Sequence, residues 1–453
     1  MYFVQTVISF RMTPSLQQVL FFLTAGVAVI ILLSVKFRVH PFFSLLLASF
    51  ITGTGVGFPI AEVINTMKEG FGNIMKSLGL IVVLGTTLGV LLEHNGSTRV
   101  MADAILKRIG RRYPAFAMSI TGFIVGLPIF CDSGFIVLSG LNLSLAKRTG
   151  TKVVVMAVAM ATGLYSVHCL IPPHPGAVTA ASVLQVDYGK LTLIGIVAAI
   201  PAMLIGYWYA GLAGKNLELV QEAGAEMEAG AQNNISAFQA FLPVLIPVVL
   251  IAVKSFFITA STSPNLFYKI ISATGDPVIA LSVGVLIALM SCWPWKKDHV
   301  NQSLQEAVHK AGGILVIIGA GGAFGAILAA TKIGEHFSNA LPLEHLGLLF
   351  PFLLTSLLKT AQGSSTVAII TASYIVQPLL PSLGFDTANE KLFCVLAMGA
   401  GSMMISHAND AYFWVIARFE KIDMKTMLKV YSVATLLMGL ITLLMIYLLS
   451  WIF

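Results

Sequence analysis

The sequence predicts an all-α polytopic membrane protein built from two inverted structural repeats, each holding a re-entrant hairpin and a discontinuous helix. Three observations lead there. Of 453 residues, 57% are hydrophobic and only 10% charged, with mean hydropathy +0.89, whereas soluble domains carry about a quarter charged residues. Apolar runs of roughly 15–24 residues recur along the chain, the length a helix needs to cross a bilayer. Polar knots interrupt those runs at matching places in the two halves. The alternating segments of about 10 residues that mark a transmembrane β-barrel are absent from the sequence.

The apolar segments fall at about 16–35, 41–60, 77–92, 114–130, 133–146, 153–186, 191–214, 237–253, 277–295, 312–330, 346–358, 366–380, 392–417 and 430–453. The first has no small-residue cleavage site and reads as a retained helix rather than a signal peptide. The net charge of +7 comes from basic residues scattered among the connections, so it reports topology and not a nucleic-acid partner. With "VKFRVH" (Lys36, Arg38) placed in the cytoplasm, the basic clusters at 107–112, 147–152, 296–297 and 418–429 follow it there. Eighteen of the 27 lysines and arginines then lie inside and eight outside, the positive-inside pattern. Lys359 is left within the membrane, and both termini face out.

This topology makes residues 114–146 enter and leave on one side, and residues 346–380 do the same from the other. Arms of 13 to 17 residues with a polar tip suit re-entrant hairpins better than two thin crossings. The order of motifs then repeats. "GTTLG" (Gly85, Gly89) and "GGAFG" (Gly321, Gly325) mark close helix packing, and a polar-tipped pair follows each. Next come "AMATGLYSVH" and "AMGAGSMMISH", in helices broken at about 153–186 and 392–417. Residues 1–214 thus form a first half and 237–453 a second, in opposite orientation. The acidic stretch "GKNLELVQEAGAEMEAGAQNN" lies between them as a solvated linker at 215–236. Inverted repeats with broken helices are the architecture of secondary transporters, whose sites lie near the midplane.

Four polar stretches mark that site: "IFCDSGF", "HCLIPPHPGAV", "KTAQGSST" and "SHANDAYFW". Irregular backbone at membrane depth is tolerated only where buried protein or a water-filled cavity serves it. A charge at the centre of a membrane helix costs about 2.5–3.5 kcal/mol, so Asp132, Lys359 and Asp410 need a function or an ion pair to account for them. Lys359 can pair with a substrate carboxylate. Ser133, Gln362, Ser364, Ser365 and Thr366 can hydrogen-bond its hydroxyls. Gly134 and Gly363 allow close backbone approach, and Pro172, Pro173 and Pro175 stop a continuous helix. Asp132 or Asp410, partly desolvated, could carry a proton across, and a histidine (His168, His174 or His407) could do so nearer neutral pH. The four cysteines (Cys131, Cys169, Cys292, Cys394) lie in or beside apolar runs without metal-ligand spacing. No activated nucleophile points to an enzyme, and no repeated filter residues point to a channel.

"FCDSGFIVL", "HCLIPPHPGAV", "AQGSSTVAIIT" and "SHANDAYFW", in this order, resemble the gluconate–proton symporter (gluconate permease, GntP) family. The similarity runs from "FRVHPFFSLLLASFITG" to the last helix. The resemblance implies a multi-pass protein of the bacterial inner (cytoplasmic) membrane, importing gluconate or a related small sugar acid or hydroxy carboxylate with protons. It implies no cofactor, a fold of the wider ion-transporter group, a homodimer among lipids, and elevator-like movement. Sodium coupling of a carboxylate transporter, or sodium–proton exchange, is the alternative that relatives in the wider group suggest. By motif, Asp132, Ser133 and Gly134 match the first tip and Gln362 to Thr366 the second. His174, Pro175 and Gly176 match the first break, and His407, Asn409 and Asp410 the second. The expected substrate-binding residues are therefore Ser133, Gly134, His174, Pro175, Gly176, Lys359, Gln362, Gly363, Ser364, Ser365, Thr366 and Asn409. Asp132, His168, His407 and Asp410 are the expected proton-coupling residues. Members of the family carry ligands as different as aldonates and D-serine, and a lysine at 359 favours an acid lacking its own ammonium group.

Overall fold

A computed structural model describes residues 15–109, 113–215, 235–260, 266–291, 297–332, 345–407 and 410–452. The expected linker at 215–236 and the site residue Asn409 fall almost wholly and wholly, respectively, outside these residues. All the regular structure described is helical. The first half runs through α1 (Leu16–Val35), α2 (Pro41–Gly55), α3 (Ile60–His94), α4 (Ser97–Ile109), α5 (Pro114–Gly126), α6 (Cys131–Thr149), α7 (Val153–Leu170), α8 (Pro175–Val183) and α9 (Tyr188–Gly214). The second runs through α10 (Ala237–Ala260), α11 (Leu266–Thr274), α12 (Pro277–Met290), α13 (Lys297–Ala330), α14 (Leu349–Gln362), α15 (Ser365–Val376), α16 (Ala388–Met403), α17 (Ala411–Phe419), α18 (Met424–Met427) and α19 (Val433–Ile452). Among the described residues six helical stretches are long and apolar enough to cross a membrane. A seventh is added if the pair Tyr268–Thr274 and Pro277–Met290, bent by 65°, counts as one span.

Local chemistry sets most of the boundaries. Proline at the first helical position, where its missing N–H is not needed, opens α2, α5, α8 and α12. Thr387 and Glu390 close a reciprocal capping box at the start of α16. Two differences from the sequence reading share one cause. The helix behind the apolar run at 77–92 is α3, 35 residues long. The helix behind 312–330 is α13, 34 residues long. Each begins with an amphipathic, partly charged stretch that hydropathy undervalues but that no proline interrupts. α4 and α11 were missed because both are short and partly polar.

The two long helices pack on each other along their lengths. Gly70 and Gly322 meet backbone to backbone there, since a Cβ on either would strike the other's carbonyl. The glycines read from the sequence serve the same end. Gly85 and Gly89 of α3 receive Pro173 and the Pro128 carbonyl, while Gly321 and Gly325 of α13 receive the Tyr374 ring. Around this pair the order of elements repeats: a helical pair joined by a short turn (α5–α6, α14–α15), then a helix broken near its end (α7–α8, α16–α17), then a long apolar helix (α9, α19). The first arms α5 and α14 hold 13 and 14 residues, about 20 Å of helix, short of the ~30 Å hydrocarbon core.

Packing crosses between the halves. α5 lies on α7 and α14 on α16, but α8 lies on α15 and α17 on α6. Every residue of α7 is buried, which makes it the centre of the molecule. Tyr165 of α7 donates to the Ser402 carbonyl of α16 (3.0 Å), and Tyr412 of α17 donates to the Ala161 carbonyl (3.3 Å).

Candidate functional site

Both helical pairs turn where the sequence becomes polar, and both breaks do the same. The first turn spans 127–130, ahead of α6, and the second consists of Gly363 and Ser364. Gly363 has φ of +84°, a left-handed conformation that glycine adopts without the Cβ penalty. It ends α14 with its N–H on the Lys359 carbonyl, and Ser364 then caps α15 through its side-chain oxygen on Val367 N–H. The break after α7 contains the cis bond Pro172–Pro173. In the second break Asp410 caps α17, accepting Tyr412 N–H at 2.9 Å.

The four helix starts converge on one cavity of about 530 Å³. Phe130 to Ser133 supply one wall, Gln362 to Val367 with Ile370 another, and Asp410 to Tyr412 a third. Tyr165, His168 and Pro175 add the α7–α8 side, and Lys310, Ile314 and Ile317 of α13 complete the lining. The two polar knots, more than two hundred residues apart in sequence, therefore face each other. Gly176 lets α8 reach α15, because a Cβ there would lie 3.0 Å from Ile369 and 3.4 Å from the Thr366 backbone. Helix N-termini present N–H groups and positive dipole ends, which favour an anion.

Polar groups on the wall differ in how fully they are used. The side-chain amide of Gln362 has no hydrogen-bond partner at either end among the described residues, and neither has Nδ1 of the buried His168. His168 Nε2 lies 3.4 Å from Thr366 Oγ1. Buried polar atoms are rarely left unpaired, and each exception calls for an explanation. Asp132, in the first turn of α6, is exposed on the cavity. Its one described hydrogen bond comes from Ser133 N–H at 2.9 Å.

Other expected site residues are placed differently. Lys359 is 1% exposed and is not part of the cavity lining. Its Nζ donates to the Gly363 carbonyl at 2.7 Å and to Asp410 Oδ2 at 2.8 Å, and Ser406 donates to the same carboxylate oxygen. The lysine expected to meet substrate is therefore tied into a buried ion pair, and Asp410, expected to move a proton, is its partner. Gly134 packs beneath the tip against Leu164. The two histidines of the breaks do matching structural work. His174 Nε2 donates to the Gly126 carbonyl (2.8 Å) at the end of α5, and His407 Nε2 donates to the Thr360 carbonyl (3.0 Å) near the end of α14. Each donates to a backbone carbonyl in the last turn of a helix, and neither lines the cavity. Among the described residues no group of three or more His, Cys, Asp or Glu side chains could hold a metal. Cys131, Cys169 and Cys394 are buried and free.

The sequence reading missed Lys310, Tyr165 and Tyr412 on the wall. Lys310 is one of the eighteen basic residues that the topology places on the cytoplasmic side. Its spacing from Ile314 and Ile317, i, i+4 and i+7, was the available signal that one stripe of α13 faces a common space.

Comparison with known proteins adds the following. A family model described as GntP family permease matches residues 18–452. The chain is 31% identical to the gluconate permease of Pseudomonas aeruginosa, over 93% of this chain and 95% of that one. It is 30% identical to the inner membrane permease YgbN of Escherichia coli K12, covering 92% and 94%. It is also 30% identical to the D-serine transporter DsdX of Escherichia coli O6:H1, covering 95% and 98%. Among solved structures, the YdaH transporter of Alcanivorax borkumensis shares the fold. Its TM-score is 0.59 at 15% identity, over 86% of this chain and 88% of that one.

Proposed function

The chain belongs to the GntP permease family, and from that premise we propose that it imports gluconate or a related small sugar acid or hydroxy carboxylate by proton symport. It is a multi-span membrane permease and not an enzyme. The observation that carries the proposal is the meeting of an exposed Asp132 with the unpartnered Gln362 amide and four helix starts in one cavity. The helix starts suit a carboxylate, the amide and the serines and threonine suit hydroxyls, and Asp132 is the proton site. His168 is the second candidate for the proton, since its Nδ1 is unpaired among the described residues. One proton carried with one carboxylate moves no net charge, so the pH gradient is the driving force, about 1.4 kcal/mol or roughly tenfold accumulation per pH unit.

The halves act as inverted repeats in this reading. The repeated element order, the crossed seating of α8 and α17, and the equivalent tasks of His174 and His407 support it. A homodimer moving its transport core elevator-fashion extends the reading from the family resemblance.

Labelled gluconate uptake into proteoliposomes tests it. An inward pH gradient is expected to drive accumulation at zero sodium, and a protonophore to abolish it. Uptake that needs sodium at fixed pH, or D-serine uptake without gluconate uptake, sinks the proposal.

A further inference from the structure

We propose that Lys310 of α13 is a substrate-binding residue, the cation that takes the carboxylate of the cargo. The proposal rests on the reading of the cavity as a transport site for an organic acid. With Lys359 tied to Asp410 and off the wall, Lys310 is the one lysine or arginine among the described residues that line the cavity. It shares its stripe with Ile314 and Ile317, seven residues of helix that span about 10 Å. Lys310 therefore lines the α13 side of the cavity whose other walls the two tips form.

The way Lys310 is held leaves it available. Its Nζ lies 2.7 Å from Glu306 Oε1, one turn back on α13, and 3.8 Å from Glu93 Oε2 of α3. Glu306 is itself shared, since its Oε2 lies 3.0 Å from His94 Nε2, and His94 Nδ1 lies 2.7 Å from Ser303 Oγ. Side chains of Lys310 and Glu306 are 31% and 35% exposed. Ion pairs this open are weak, because water and salt screen them. The Lys359–Asp410 pair, 1% and 8% exposed, is the opposite case, and separating it would strand a buried charge. An incoming carboxylate can take Lys310 from Glu306, whose second oxygen keeps His94. The same carboxylate has no route to Lys359.

The test is the kinetics of gluconate and D-serine uptake by proteoliposomes, each substrate bearing one carboxylate. For whichever substrate the parent protein carries, Lys310→Gln is expected to raise KM about tenfold with little change in maximal rate. Lys310→Arg is expected to stay within about threefold, because the charge is kept. The double variant Glu306→Gln with Lys310→Gln restores the local charge balance and should keep the raised KM. A parent-like KM in Lys310→Gln overturns the proposal. So does recovery in the double variant, which would make Lys310 a mere counter-ion for Glu306. Transport of neither substrate by the parent protein sinks the transport reading itself, and the proposal with it.

Discussion

Asp132 and Asp410 both stand at helix starts on the same cavity, yet they are held in opposite ways. Asp410 is 6% exposed and engages Tyr412 N–H, the Ser406 hydroxyl and the Lys359 ammonium. Asp132 is exposed to the cavity and receives one backbone N–H. One carboxylate is consumed in holding the second tip against the second break, and the other is left for solvent or cargo. The difference separates groups that keep the site in shape from groups that can change partner or protonation during a cycle.

The contrast can be broken by substitution, and the largest effect on stability is expected at the tied pair. Lys359→Met should cost about 3–5 kcal/mol by stranding the buried Asp410. Thermal unfolding in detergent reads this, and the double variant Lys359→Met with Asp410→Asn should recover most of it. A single variant within 1 kcal/mol of the parent would show that Asp410 is not committed to the pair.

A third acid lies between these extremes. Glu420, just past α17, is 4% exposed and accepts from Asn142 Nδ2 at 2.9 Å, while its second oxygen has no partner among the described residues. Burial pushes its carboxyl up to about 8, and the Asn142 hydrogen bond opposes the shift. The folded protein then holds a proton that the unfolded chain gives up near the usual carboxylate value. Stability should accordingly fall as pH rises from about 5 through 8, by an amount on the order of 3 kcal/mol. Glu420→Gln should flatten the dependence in a melting series across that range. An unchanged pH profile in this variant would remove Glu420 from the account.

The smallest stability effects are expected where function is most exposed. Gln362→Leu should leave the melting temperature unchanged or slightly raised, since it removes an unpaired amide. It should weaken apparent gluconate affinity about tenfold, a loss of about 1.4 kcal/mol. Asp132→Asn should shift stability by no more than about 0.5 kcal/mol. It should abolish proton-driven accumulation while gluconate exchange between two loaded faces persists. If Asp132→Asn still concentrates gluconate under a pH gradient, the free carboxylate is not the coupling site.

Much of this architecture was legible because polar residues in an apolar chain are conspicuous. The turns at Phe130 and Gly363, and the breaks at Pro172 and Asp410, were each announced by residues that cannot continue a helix cheaply. The family membership followed from the same motifs. What stayed hidden was pairing across the chain. Nothing in "LLKTAQGSST" tells that Lys359 meets Asp410, 51 positions on, or that Gln362, three residues after Lys359, stays unpaired among the described residues. His174 and His407 looked like functional groups because their carbonyl partners belong to arms that only the folded chain brings near. Lys310 looked like a topological marker because hydropathy stops counting where α13 turns amphipathic.

The exchange of short helices between halves bears on how the protein is made. α8 rests on α15 and α17 on α6, so the half synthesised first holds α8 only by its lighter contacts with α3, α7 and α9. It must wait for some two hundred more residues before α15 arrives to receive α8. Biogenesis is therefore a closing handshake and not the assembly of two finished units, and residues 15–215 made alone should be a ready target for membrane proteolysis.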